Sequence, residues 1–215
     1  MPKNNSVDGI NTLFIDKKIR KEIQEKLPRL FKIAEIECSR AGKIGMEVGS
    51  MREKIIIAMF IHYFGSNNVN SDIPITQSEI DVSVMDENIS IKTISKTGAV
   101  KVVWTVDALK AKIFVDNYTP SCNILLVDIN WGKEQDSIFY IPLIVQQKLL
   151  ETIGRHNYLN TPKAGTNPRG VEFRRNTLKS LMNDKDTFKL PISWNLDNTV
   201  DVDLYERWVQ LWTSD

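Results

Sequence analysis

The chain has 215 residues, 42% hydrophobic and 26% charged, with 28 Lys and Arg against 27 Asp and Glu for a formal net charge of +1. That length can bury a substantial core without disulfides and suits one large domain, residues 1–215. Cys38 and Cys122 lack zinc-site spacing and a pairing framework, the polar start "MPKNNSVDG" is no signal peptide, and the longest apolar run, "IIIAMFIHYF", falls short of the roughly 20 residues that span a bilayer. Zinc binding, secretion and membrane insertion are set aside, and a soluble cytoplasmic protein is expected.

Residues 15–41 carry Ile19, Ile23, Leu27, Leu30 or Phe31, and Ala34 at helical spacing, interrupted by Pro28, which predicts two helices or one kinked helix. A second helix is expected from Ser50, where "SMRE" has the form of a capping box, to Phe64, with Gly65 as its stop. Its nearly all-round apolarity predicts packing inside the domain. The polar loop "GSNNVNSD" leads to "SEIDVSVMDENISIKTIS", which alternates like a two-stranded hairpin. "AVKVVW" reads as a third strand, "TVDALKAKIFVDNY" as a helix capped by Thr105, "NILLVDI" as a strand buried on both faces, and "SIFYIPL" as another strand.

"IPLIVQQKLLETIG" follows as a helix, and "RHNYLNTPKAGTNPRGVEFRRN" reads as a long surface loop with one short strand, "GVEFR". At the end, Leu204, Trp208 and Leu211 or Trp212 form an apolar stripe suited to core packing, with a dimer contact as the lesser alternative. This order indicates an α/β (α+β) fold with a mixed central sheet flanked by helices. Charge is unevenly distributed: from Gly154 to Ser180 Lys and Arg dominate, with Glu172 the sole acid, whereas Trp194 to Asp215 is acidic. Such separation permits a local basic surface on a neutral protein.

Within the hairpin, Ile80, Val82 and Val84 share one face and Glu79, Asp81 and Ser83 the other, while Ile89 and Ile91 alternate with Ser90 and Lys92. With "MDEN" as the connection, Val84 pairs with Ile89, Val82 with Ile91 and Asp81 with Lys92, since a slip of one residue turns the isoleucines to the polar face. An Asp beside a Lys suits phosphodiester hydrolysis. The carboxylate supplies an oxygen to Mg²⁺, and the ammonium orients the attacking water and meets developing charge. A solvated cross-strand ion pair, worth about 0–1 kcal/mol, gives the same local pattern. The hairpin alone leaves both readings open.

Its flanks add to it. "GSMREKIIIAMFIHYFG", a polar linker, "SEIDVSV" and "ISIKT", in that order, resemble the active-site order of the PD-(D/E)XK nuclease superfamily, in particular its type II restriction endonucleases of the ThaI type. The resemblance implies an αβββαβ core, here about residues 43–145, Mg²⁺-dependent cleavage of double-stranded DNA, and a homodimer matched to a palindrome. For the ThaI type it implies a short palindrome of C and G only, CGCG, cut at its centre. Residue by residue it implies Asp81 as metal ligand, Lys92 as catalytic lysine, the Ile91 carbonyl as a second ligand and Glu53 as the helix glutamate. Glu47 and Glu79 are rivals for that last role. Ser90 stands where the family has Asp or Glu, which makes a carboxylate from the helix necessary.

A restriction enzyme must also read base edges, for which Arg and Lys suit guanine and Asn suits adenine. Region 154–180 is the expected DNA-recognition segment, with Arg155, His156, Lys163, Asn167, Arg169, Arg174 and Arg175 as candidates and Gly165 and Gly170 permitting close backbone approach. A solvated basic loop has the same composition. Lys96 and Lys101 would fit phosphates of the cleaved strand, and Met46 and Met51 could wedge between base steps, although such methionines are more often core. The expected function is a sequence-specific DNA endonuclease. The alternatives are a repair or junction nuclease of the same superfamily, a DNA-binding protein with a decayed site, and an unrelated α/β protein with a merely structural hairpin.

Overall fold

A computed structural model describes residues 9–40, 43–45, 47–74, 76, 79–95, 99–104, 107–161, 170–195, 203 and 205–213, with backbone alone for Arg40, Arg207 and Trp208. It begins with short α1 (Thr12–Ile15) and long α2 (Lys17–Glu37), which is capped by the Asp16 carboxylate accepting from the N–H groups of Lys18 and Ile19. α2 runs unbroken through Pro28, so the one-helix alternative holds. One missing N–H in a long helix is outweighed by the buried stripe of Ile23, Leu27, Phe31 and Ala34.

β1 (Ser39–Arg40) and β2 (Lys43–Ile44) form a small antiparallel pair ahead of α3 (Val48–Phe64). α3 starts before Ser50 and its N-terminus has no side-chain cap, so the expected capping box does not form; Gly65, at φ 84°, does end the helix. Nor is α3 sunk in the interior. Arg52, Ile56, Phe60 and Phe64 are its buried stripe, and Ile61 is 40% exposed, because the sheet and α2 cover one face only.

The remaining elements are β3 (Val69–Asn70), β4 (Val82–Val84), β5 (Glu87–Ser95), β6 (Lys101–Val103), α4 (Ala108–Asn117), β7 (Asn123–Ile129), β8 (Glu134–Ile141), α5 (Leu143–Ile153), α6 (Arg155–Tyr158), β9 (Leu159–Asn160), β10 (Val171–Phe173), α7 (Arg175–Asn183), β11 (Phe188–Ser193) and α8 (Glu206–Thr213). The main sheet has the order β11-β8-β7-β5-β4-β3 and is antiparallel except where β5 lies parallel to β7. This is the expected mixed sheet flanked by helices. The expected third strand forms as β6 but belongs to a separate sheet, order β6-β10-β9. Asp107 caps α4, accepting from Leu109 and Lys110, and Thr105 lies outside the described residues.

β7 shows why its sequence is continuously apolar. Leu125, Val127 and Ile129 join a core shared with α1, α2 and α3, while Ile124 and Leu126 join a second core shared with α4, α5, α6 and α7. That second core also takes Tyr158, Leu159, Val171 and Phe173, so the flanks of the expected surface loop are buried. Its strand "GVEFR" appears as β10, and residues 162–169 lie outside the described part. Gly170, at φ 125°, has the Val103 carbonyl oxygen against the place where a Cβ would stand, so its missing side chain lets its backbone approach β6 closely.

Sequence reading did not anticipate α7 or β11. At the chain end, Leu211 is 60% and Trp212 91% exposed, which overturns core packing for these two; Leu204 and the side chain of Trp208 lie outside the described part. Among the described residues no helix is long and apolar enough to cross a membrane. Cys122 is a buried free thiol as expected, and Cys38 is half-buried.

Candidate active site

The hairpin register differs from the expected one. Val82 pairs with Ile89, Ser83 with Asn88 and Val84 with Glu87, closed by the two-residue turn Met85 and Asp86 at φ 50° and 66°. Two successive positive φ values mark the tight hairpin turn whose twist matches its strands, so the four-residue connection does not form. The shift in pairing is even, so every side chain keeps its expected face. Val82, Val84, Ile89 and Ile91 pack toward α3, with Ser90 and Lys92 on the opposite side of β5.

Asp81 sits where β4 stops. Its Oδ2 accepts from the Ile91 N–H at 2.6 Å and from Ser90 Oγ at 3.2 Å, and Lys92 Nζ stands 3.6 Å from the same oxygen. The expected proximity of Asp81 and Lys92 therefore holds through a different register. β5 pairs with β4 only as far as Ile89 but with β7 as far as Ser95, so beyond Ser90 one edge of β5 has no strand partner among the described residues. The N–H and C=O of one strand residue point to the same edge, so the Ile91 carbonyl faces this open side together with the N–H that Asp81 engages.

Glu53, on the first turns of α3, approaches from the other layer. Burial, and then the Asp81 carboxylate, push its carboxyl above the usual range, against the opposing pull of Lys92 and Lys54. Among the described residues no donor reaches the Glu53 carboxylate or Asp81 Oδ1. Glu47 instead folds over Gly45 and acts on the Cys38 thiol, which burial and then Glu47 push up. Glu79 Oε2 accepts from Ser121 Oγ at 2.5 Å. Of the three glutamates, Glu53 is the one whose carboxyl feels the charges of both Asp81 and Lys92 and, among the described residues, meets no donor.

What holds α3 in place escaped sequence reading. Arg52 donates from Nη2 to Glu35 Oε1 at 2.6 Å, Trp131 Nε1 donates to the same oxygen at 2.8 Å, and the guanidinium lies over Phe31. The signal was an Arg entering an otherwise apolar helix, but its partner lies on another helix, 17 residues back.

The expected DNA-contact residues divide. Lys96, Lys163, Asn167, Arg169, Gly165 and Met46 lie outside the described residues. Met51 is half-buried in the first turn of α3. Lys101 Nζ stands 3.9 Å from the centroid of the Trp104 ring, with Glu172 across the strand pair. Arg155 Nε donates to the Tyr118 carbonyl, Arg174 Nε to the carbonyls of His156 and Leu159, and His156 Nε2 lies 3.2 Å from Asp116. Arg174 and Arg175 line an open groove of about 900 Å³ with Asn157, Asn160, Glu172 and Asn176.

Two carboxylates whose oxygens Oδ1 of Asp81 and Oε of Glu53 meet no donor among the described residues, a backbone carbonyl and an ammonium are groups that could hold a hard cation. Among the described residues no three His, Cys, Asp or Glu side chains come together, so phosphate and water oxygens would have to complete a metal's shell. A family model described as "Restriction endonuclease ThaI" matches residues 13–214. A solved structure described as "Restriction endonuclease in complex with substrate DNA" aligns with a TM-score of 0.87 and 46% identity, over 96% of this chain and 99% of that one. No protein of curated function matches. Restriction endonucleases of this kind use divalent metal ions. With hairpin, helix glutamate and sheet in this order, the chain belongs to the ThaI family of restriction endonucleases, type II site-specific deoxyribonucleases.

Proposed function

We propose that this protein cleaves double-stranded DNA with Mg²⁺ held by Asp81, Glu53 and the Ile91 carbonyl, and with Lys92 as catalytic lysine. The observation that carries this reading is the half-buried Glu53 carboxyl, which the Asp81 charge helps to push up and which meets no donor among the described residues, an arrangement relieved by a cation between them. When bound, Mg²⁺ polarises the phosphoryl group and acidifies a bound water. The protein's own groups do the rest. Ser90 Oγ and the Ile91 N–H engage Oδ2 of Asp81, leaving Oδ1 for the site, so Ser90 positions a carboxylate instead of supplying one. Lys92, beside that pair, orients the attacking water and donates to the phosphate oxygens on which charge develops.

The substrate we propose is a short palindrome of C and G only, CGCG, cut at its centre, in keeping with the family. Lys96 and Lys101 would meet backbone phosphates. Arg155, His156, Lys163, Asn167, Arg169, Arg174 and Arg175 would supply base and phosphate contacts around the groove that Arg174 and Arg175 line. The whole chain would act as one unit, with catalytic part 43–145 and recognition part 154–180, because Tyr158, Val171, Phe173 and Leu181 share a core with Ile124 and Leu126 of β7. A homodimer matches a palindrome, and the exposed Val209 and Trp212 of α8, with Tyr205 just before it, are its candidate contact.

The test is plasmid DNA with Mg²⁺, alongside Asp81→Ala and Lys92→Ala. Discrete fragments that vanish with both substitutions support the reading. A smear or nicking points to a repair nuclease, and binding without cleavage points to a decayed site.

A further inference from the structure

Behind Lys92, on the side of β5 away from α3, lies a cavity of about 10 Å³ lined in part by Glu79, Ser90, Lys92, Tyr118, Ser121 and Gln146. A void of roughly 10–15 Å³ holds one water where two to four polar groups face it, and these walls offer more than that. Glu79 is pinned beside it. Its Oε2 takes the Ser121 hydroxyl, and its own carbonyl accepts from Cys122 Sγ at 3.7 Å. Burial and then the Glu79 carboxylate push the Tyr118 hydroxyl far above its ordinary range, which sets Tyr118 against that carboxylate as well.

Resting on the assignment of Lys92 as catalytic lysine, we propose that Glu79 is a positioning residue: its carboxylate, fixed by Ser121 and lining this cavity beside Tyr118, holds the Lys92 ammonium from behind through a water there. Asp81 restrains that ammonium from one side only, at 3.6 Å, on a side chain with four rotatable bonds. A second anionic anchor across the cavity narrows the positions from which Lys92 meets the attacking water. It also separates the glutamates by role, Glu53 toward the metal and Glu79 toward the lysine.

The test is single-turnover cleavage of a duplex containing the recognition sequence at saturating Mg²⁺, with the full-length wild type, Glu79→Gln, Tyr118→Phe, Lys92→Ala and the Lys92→Ala/Glu79→Gln double variant. Glu79→Gln is expected to lower the rate about tenfold, the scale of losing a group that orients a ligand or catalytic residue, with metal-free duplex affinity within about twofold. Tyr118→Phe is expected to lower it in the same direction by less. In the Lys92→Ala background Glu79→Gln should cost nothing further, because a residue acting through the lysine has nothing left to position. Full additivity in the double variant, a rate unchanged by Glu79→Gln, or a loss recovered by raising Mg²⁺ overturns the proposal. A Lys92→Ala enzyme as fast as wild type overturns the assignment of Lys92 instead. If Glu79→Gln fails to fold, Tyr118→Phe decides on the same readout, and an unchanged rate there overturns the proposal.

Discussion

Removing Glu35 tests whether the active-site helix is held by a buried charge. Glu35→Leu deletes the acceptor of two hydrogen bonds, from Arg52 Nη2 and Trp131 Nε1, and leaves a guanidinium only 5% exposed without a counter-charge. Among the described residues its Nε already lacks a partner. Both members of the pair are buried enough that water screens neither, and breaking such a pair costs about 3–5 kcal/mol. At about 2–4 °C per kcal/mol for a chain of this size, the melting temperature should fall by about 10 °C. Replacing both partners, Arg52→Met with Glu35→Leu, removes the orphaned charge and should recover most of the loss, since apolar groups of similar volume often substitute for a buried pair without penalty. Urea unfolding of the wild type, both single variants and the double variant measures the coupling directly. A Glu35→Leu cost below about 1 kcal/mol, the scale of a surface pair, or a double variant as unstable as the sum of the singles would refute the reasoning.

Three further outcomes are expected. Met85 adopts a left-handed conformation that costs a side-chain-bearing residue roughly 1–2 kcal/mol, so Met85→Asn should stabilise by about 0.5–1 kcal/mol in the same unfolding assay, and a loss would contradict the turn assignment. Burial raises the Asp128 carboxyl above its ordinary 3.8, against a hydrogen bond from Gln135. The native state therefore holds a proton that the unfolded chain has released, and stability falls as pH rises from 3.8 through the folded value; Asp128→Asn should flatten that part of the melting-temperature profile and raise the value at pH 7, whereas parallel profiles would count against it. Trp212, 91% exposed on α8, should matter to assembly rather than folding: Trp212→Asp is expected to weaken dimerisation more than tenfold by sedimentation, on the roughly 2 kcal/mol scale of an interface anchor, with an unchanged melt of the monomer.

The sequence showed the faces of the hairpin but not its register, and the reason is local. Alternation of Val82, Val84, Ile89 and Ile91 is insensitive to an even shift, and the turn that decides between the two registers is Met-Asp, without the Asn or Gly that ordinarily marks positive φ. β7 was legible because burial on both faces leaves a continuous apolar run. β11 was hidden by Pro191 within an otherwise alternating Leu190, Ile192 and Trp194; an edge strand with a break in register at that proline accommodates it, and only the sheet order reveals the edge. The Arg52 and Glu35 pair could not be read at all, since charges far apart in sequence meet only after α2 and α3 have packed.

With Glu53 as the proposed helix carboxylate, the displacement of one carboxylate from strand to helix follows from where β4 ends. Glu53 reaches the site from the layer of α3, whereas Ser90, Lys92 and Glu79 belong to the layer of α4, and an intact sheet would keep these groups apart. β4 stops at Val82, and Asp81 takes the Ile91 N–H that a longer strand would have bonded, so the seam opens where both layers can present side chains to one substrate phosphate. With a carboxylate at position 90 the strand alone would supply two ligands on one face. With serine there, the hydroxyl spans 3.2 Å to Asp81 and fixes it, and the negative charge must come across the seam. On that proposed assignment, the packing of α3, through the buried Arg52, is a determinant of catalysis as well as of stability.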